Sequence, residues 1–397
     1  MFTTDSALRS KPTMATIELS DFGISKKTGF VPEEPVPKIA GLYFSKWEYI
    51  AEHLPELLKR KELRAAVDEL PETEFSSNTL HSDNEWRRAY AILSFISQAY
   101  IWEGGESGAI TELPAKIAIP WHATSQYIGV PPAATYAATI FFNYSLKVAA
   151  NGFDPSNLKA ALTFTGTEDE SWFYMIHVLS EFAAVPGLVA IESGLKAMAS
   201  NDDEKLMKNL RSMHESIIAM KNTLTRMYEQ SDPKFYYNTL RYFFGCPEGG
   251  LIFSGVSDER KTYRGGSGAQ DTAIPAFGVF LGIKHNEKER ALLEDFKKYM
   301  PPKHREFLEV LSRQPSVRDY VLKSANTELL KRYNEVVDAL VSFRSEHRIL
   351  VTRFIINMKQ SKGEKVTETV KGMGGTSFMI FLKKLKDETA SLKLQEL

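Results

Sequence analysis

Apolar residues recur at three- and four-residue steps through stretch after stretch of this chain, and nowhere do they alternate convincingly with polar ones. That spacing lines up one face of an α-helix, whereas a half-buried strand needs a period of two. Residues 44–70 carry Trp47, Ile50, Ala51, Leu54, Leu57 and Leu58 in this pattern, and residues 84–102 carry Trp86, Tyr90, Leu93, Ile96 and Tyr100. Further helices are predicted over 133–150, over 171–198 with an interruption at Pro186 and Gly187, and over 203–230 behind the capping pair Asn201 and Asp202. Others follow over 233–244, 272–283, 287–299, 302–312 and 327–359, and a last one closes the chain. Pro114, Pro120, Pro131 and Pro132 are expected to break their stretch into short pieces. The glycine-rich segments 245–268 and 361–376 are expected to be loops, the second a mobile one. The expected class is all-α.

At 397 residues the chain exceeds one ordinary core, so two domains are expected. Residues 1–42, studded with Pro32, Pro35 and Pro37, read as an extended arm that can be partly packed. Turn residues over 152–167 mark a junction between a small helical domain, 43–160, and a large one, 161–397. Hydrophobic residues make up 43% and charged residues 25%, the balance of a soluble globular protein. Lys+Arg number 49 against Asp+Glu 50, so no whole-protein field exists to hold nucleic acid or an anionic membrane. The basic run Lys383, Lys384 and Lys386 is interrupted by Leu385 and reads as a solvated helix face. No apolar run approaches the roughly 20 residues of a membrane span. Residues 1–25 mix charges among their apolar residues and lack the core of a secretion signal. The single cysteine, Cys246, excludes internal disulfides and cysteine-built zinc or iron–sulfur centres, which fits a reducing compartment. A cytoplasmic location is expected.

Eight histidines are present, with neither His-Glu-x-x-His nor His-x-His among them. The glycine run at Gly265 lacks the following Lys-Ser/Thr of a phosphate loop. His347 is the most informative, because Leu340, Arg344, His347, Val351 and Phe354 share one helix stripe. An imidazole there is either a satisfied core histidine or a ligand. Arg344, one turn back, favours the second: a buried guanidinium needs an anion, and a haem supplies both iron and propionate carboxylates. His177 shares a face with Phe173, Ser180 and Ala184, as a pocket residue or a hydrogen-bonded core residue. Arg241 sits among Phe235, Tyr236, Tyr237, Tyr242, Phe243 and Phe244. It is either a cation–π element or a bidentate anchor for the carboxylate of an aromatic amino acid.

The ordered run from Tyr299-Met300-Pro301-Pro302-Lys303-His304-Arg305 through Ser316-Val317-Arg318 to Ala339-Leu340-Val341-Ser342-Phe343-Arg344-Ser345-Glu346-His347 resembles the indoleamine 2,3-dioxygenase family. So do Gly265-Gly266-Ser267 and Gly372-Met373-Gly374-Gly375-Thr376. The resemblance is clear over residues 130–390 and weaker upstream. It implies a small helical domain roofing a large one that binds haem b. It also implies insertion of O2 across the C2–C3 bond of L-tryptophan or a related indoleamine, giving N-formylkynurenine. An electron donor would keep the iron ferrous, and a monomer is expected. The alternatives are an oxygenase acting on another indole and a non-catalytic haem or gas-binding protein. Carried over by position, His347 is the proximal ligand and the metal-binding residue, with Arg344 on the propionate side. Tyr136, Thr139 and Ile140 line the indole pocket, and Phe173 and Tyr174 stack near the substrate. Tyr236 and Arg241 contact the amino acid. Gly266, Ser267 and Gly268 pass over the distal face, with His177 and Ser267 next to the chemistry. Met373 and Thr376 belong to a substrate-side lid. Several positions depart from the vertebrate pattern. His177 replaces a serine, and a distal histidine is what the related tryptophan 2,3-dioxygenases use. Thr139 replaces a cysteine, Tyr174 and Tyr236 phenylalanines, Met373 a threonine and Gly278 an aspartate.

Overall fold

The computed structural model describes residues 17–71, 75, 79–148, 155–364, 366, 372 and 377–395. The fold is all-α, with two small sheets set into it. Helices α1 (Leu42–Glu52), α2 (Leu54–Arg60) and α3 (Leu63–Asp68) pack on α4 (Asp83–Trp102), whose first turn is capped by Ser82. From Ile17 onward the predicted arm is packed against the rest of the protein. Leu19, Phe22, Phe30 and Val31 are buried, Phe22 against Phe307 and Phe30 against His304.

Three expectations for the middle of the chain are corrected. Helix α5 (Ala115–Ile128) runs through Pro120 unbroken, because a proline near a helix start removes only one intrahelical donor. Residues 133–150 are not one helix. A single π-helical turn, Ala137–Phe141, gives way to strand β2 (Tyr144–Leu146), which pairs antiparallel with β3 (Leu158–Ala160). The diversion centres on Asn143, whose side chain exchanges two hydrogen bonds with Leu162, at 3.2 and 2.7 Å. Within 245–268 a hairpin, β4 (Leu251–Phe253) and β5 (Ser257–Lys261), forms a sheet with β1 (Glu112–Leu113).

The long elements position the site. Helix α6 (Glu168–Ser200) is capped by Thr167 and continues without a break past Pro186 and Gly187. The turn before the proline is tied to α7 (Asp203–Thr225) by Ser216 Oγ, which donates to Ala183 O at 2.6 Å. By length and composition α6 could cross a membrane, contrary to the sequence expectation, but most of its apolar stretch is buried inside the protein. Short helices α8 (Met227–Gln230) and α9 (Pro233–Asn238) lead to a 3-10 turn, Leu240–Phe244. Then come α10 (Ala273–Leu281), α11 (Glu287–Lys297), α12 (Pro302–Ser312) and α13 (Val317–Ser324), the last of which was not predicted. Helix α14 (Thr327–Val351) passes through a π-helical stretch, Thr352–Ile356, into α15 (Asn357–Ser361). Helix α16 (Phe378–Ala390) packs back on α14.

Gly187 and Gly194 let α10 approach α6. A Cβ at Gly187 would lie 2.7 Å from Phe277, and one at Gly194 2.7 Å from Phe280. Interiors this dense tolerate no added methyl against a ring held on both sides. Gly187→Ala is therefore expected to destabilise by about 1–3 kcal/mol despite alanine's better helix propensity. Urea unfolding is the check, and a variant at least as stable as the parent would refute this packing.

Candidate functional site

A cavity of about 310 Å³ opens among α6, α7, α10, α14 and α16 and the segment 266–271. Its walls bring together Tyr136, Thr139, Ile140, Phe173, His177, Tyr236, Arg241, Gly266, Ser267, Gly268, Arg344 and His347. Periodicity explains the convergence: Phe173, His177 and Ser180 come from one face of α6, and Arg344, His347 and Val351 from one face of α14. Tyr174, expected at the substrate, lies behind the wall. It is fully buried, donates from its hydroxyl to Glu170 at 3.0 Å and packs edge-on to Phe244. As Phe173's neighbour it points about 100° round the helix, into the core. Met373 and Thr376 lie outside the described residues, although Gly372 and Phe378, on either side of them, both line the cavity.

His347 has no hydrogen-bond partner among the described residues. Burial, with His177 and Arg344 nearby, pushes its pKa down to about 4, so the ring is neutral and its lone pair available. Arg344 Nε is buried without a partner among the described residues, and burial lowers that guanidinium to about 10, with Glu388 acting against the shift. A second orphan is Arg241 Nε, although that guanidinium lies 3.9 Å from the centre of the Tyr237 ring. His177 Nδ1 is 2.8 Å from Phe173 O. A carbonyl can only accept, so Nδ1 carries the hydrogen and Nε2 is left as an acceptor. Burial lowers the pKa of this ring too.

The sequence profile of the Indoleamine 2,3-dioxygenase family matches residues 18–392. This chain belongs to the indoleamine 2,3-dioxygenase family. It is 32% identical over 392 residues to "Indoleamine 2,3-dioxygenase 2" of Homo sapiens, covering 95% of this chain and 96% of that protein. It is likewise 32% identical to "Indoleamine 2,3-dioxygenase 1" of Mus musculus, covering 94% of each. A protein of Haliotis madaka named "Myoglobin" is 32% identical as well, over 96% of this chain and all of that protein.

Members of the indoleamine 2,3-dioxygenase family depend on haem, and the cavity fits that group on three counts. It offers one free neutral imidazole, the donor type haem iron takes. It has a buried guanidinium with an unspent donor, suited to a carboxylate. At Gly268 an added Cβ would meet nothing within 4 Å, so a flat ligand can approach the backbone there.

Sequence reasoning missed two groups on the walls. Glu181 follows His177 by one helical turn, a spacing that could have flagged it, and accepts from Tyr136 Oη at 3.0 Å. His285 is held through Nδ1 by Glu388 at 2.6 Å, a pairing across more than a hundred residues that no local pattern announces. Gln270 fixes the other end of Tyr136, accepting from its backbone N–H at 2.9 Å. Tyr136→Phe should leave a buried carboxyl oxygen without its donor and lower stability by about 1–3 kcal/mol. Chemical unfolding measures this, and an unchanged midpoint would show that the hydroxyl bond contributes nothing.

Proposed function

We propose that this chain binds haem b through His347 and inserts both atoms of O2 across the C2–C3 bond of L-tryptophan, yielding N-formylkynurenine. The observation that carries the reading is His347, a neutral imidazole with no hydrogen-bond partner among the described residues, on the wall of a cavity it shares with an unpaired arginine. Haem supplies the oxygen chemistry when it is bound and reduced; the protein supplies binding, orientation and exclusion of water. An external electron donor keeps the iron ferrous, and the chain works as a cytoplasmic monomer. Its one cysteine is only partly exposed, and burial holds its thiol above the usual range, in keeping with a reducing compartment.

On this reading Arg344 faces the propionates, and Arg241 takes the carboxylate of the amino acid. Phe173, Tyr236, Ile140 and Thr139 enclose the indole, and Gly266, Ser267 and Gly268 leave room over the distal face. Holding the reactants so, with water excluded, lowers the barrier by several kcal/mol, roughly 7 to 11 at best. His177 accepts the indole N–H at Nε2 on this reading, which the commitment of its Nδ1–H to Phe173 O supports. The abalone relative named "Myoglobin" favours one second reading, reversible gas binding without turnover. Product mass after incubation with tryptophan, O2 and a reductant separates the two, and it also exposes an oxygenase acting on another indole.

Two outcomes are expected. His347→Ala should purify without the haem absorption and without turnover; a pigmented, active variant would overturn the assignment. Methylating the indole nitrogen of tryptophan should lower kcat/KM by about 10- to 100-fold, one hydrogen bond's worth, and His177→Ser should narrow that gap. Equal turnover of both substrates by the unaltered protein would eliminate the hydrogen bond to His177.

A further inference from the structure

Glu181 and Asp271 bring two carboxyl groups together on the cavity wall, 2% and 8% exposed. Asp271 is committed to backbone donors, its Oδ1 accepting from Ala273 N and its Oδ2 from Ile274 N, both at 3.0 Å. Glu181 Oε1 accepts from Tyr136 Oη, but Glu181 Oε2 is buried and has no donor among the described residues. What lies within its hydrogen-bonding reach is Asp271, another acceptor. Two ionised carboxylates cannot form that bond; one proton between them satisfies both. Aspartate 271 already receives two N–H groups, so the proton resides on Glu181.

The geometry points to Glu181 and Asp271 holding one shared proton that clasps the 265–271 segment to α6 and thereby positions Tyr136 and Ser267 at the cavity. The hydrogen bonds then run one way, from the Tyr136 hydroxyl to Glu181 and from Glu181 to Asp271, ending on the first N–H groups of α10. Gln270 reinforces the clasp, donating to Gly265 O at 2.9 Å while accepting from Tyr136 N. Burial raises the Glu181 carboxyl well above the ordinary range, and Asp271 raises it further, with Tyr136 opposing. Asp271 and Tyr136 are the titratable groups acting on Glu181, and Asp271 also faces His177. Neither acid is placed here in contact with substrate; both are positioning residues for the site, and their role in turnover rests on the dioxygenase reading above.

The sign of the pH effect follows from where the proton is held. An acid that binds its proton more tightly folded than unfolded makes the fold less stable as pH rises above its unfolded value. Stability of the parent should therefore fall toward alkaline pH more steeply than that of Glu181→Gln, whose amide donates to Asp271 and accepts from Tyr136 at any pH. Infrared spectroscopy of the complete protein at neutral pH should show a protonated-carboxyl band that is absent in Glu181→Gln and moved to higher frequency in Asp271→Asn. No such band in the parent, or a band that survives Glu181→Gln, overturns the shared proton, as does equal pH dependence of unfolding in the two proteins. In turnover, KM for tryptophan should rise about tenfold across the alkaline limb in the parent and stay flat in Glu181→Gln, with kcat little changed. A KM equally pH-dependent in both removes the positioning role. If the parent yields no kynurenine product, the dioxygenase reading fails, while the infrared and unfolding results still decide the clasp.

Discussion

A helix of 33 residues that is apolar on most of its circumference has to be covered on nearly every side, and the site is a consequence of how α6 meets that demand. Helix α7 covers one side along its length, α10 closes to ring-on-glycine distance on another, and the β2–β3 hairpin is set against its first half. The polar side chains that such a helix still carries must find partners or a cavity, because an unpaired buried polar group is costly. Glu170 finds Phe164 N, Thr165 N and Tyr174 Oη; Glu192 finds Lys26, Lys196 and Leu19 N. His177 and Glu181, one turn apart between them, face the cavity. The spacing of these four residues along α6 decides which are structural and which are available for chemistry.

The helices were largely legible in the sequence because their apolar spacing is a local property, and the cap at Asp202 is local too. Where the reading failed, a distant partner had overridden a local signal. Pro186 predicts a break, but α7 and α10 hold the helix on both sides of it. The apolar run after Pro132 looks helical, but Asn143 finds its partner at Leu162 and turns the chain into a strand. At the site, one helix stripe sufficed to join Arg344 to His347 and Phe173 to His177. The carboxyl pair was invisible because it joins residue 181 to residue 271. The same holds for His285 with Glu388. Tyr174 shows the converse limit, since a position matched by resemblance names a residue and not the direction of its side chain.

The Haliotis madaka and Homo sapiens relatives bear different names at the same identity to this chain, so similarity alone does not choose between carrying a gas and spending it. The polar placement inside the cavity speaks to that choice. Storage of O2 requires a pocket that excludes water and offers little else. Here the apolar space is edged by an arginine with an unspent donor and by an imidazole whose one free nitrogen is an acceptor. On the proposed reading those two groups take the carboxylate and the N–H of the indole amino acid, whereas an apolar diatomic gas has no use for the guanidinium.

Arg344 carries the same logic to the other end of the cavity. Where the resemblance leads one to expect an aspartate beside the haem, this chain has Gly278, and a Cβ there would already crowd Ile283 at 3.2 Å. Glu388 is the carboxylate that acts on Arg344, yet its oxygens are engaged by His285 Nδ1, Asn286 N and Asn286 Nδ2. A guanidinium buried to the point of a depressed pKa, with that carboxylate already engaged, is costly until another anion meets it. On the proposed reading, haem brings its carboxylates to Arg344 and takes an imidazole from His347, one turn along the same helix. On this chemistry the cost of burying Arg344 in the protein alone becomes selectivity for the ligand that neutralises it. An uncharged porphyrin ester would satisfy His347 and leave that cost unmet.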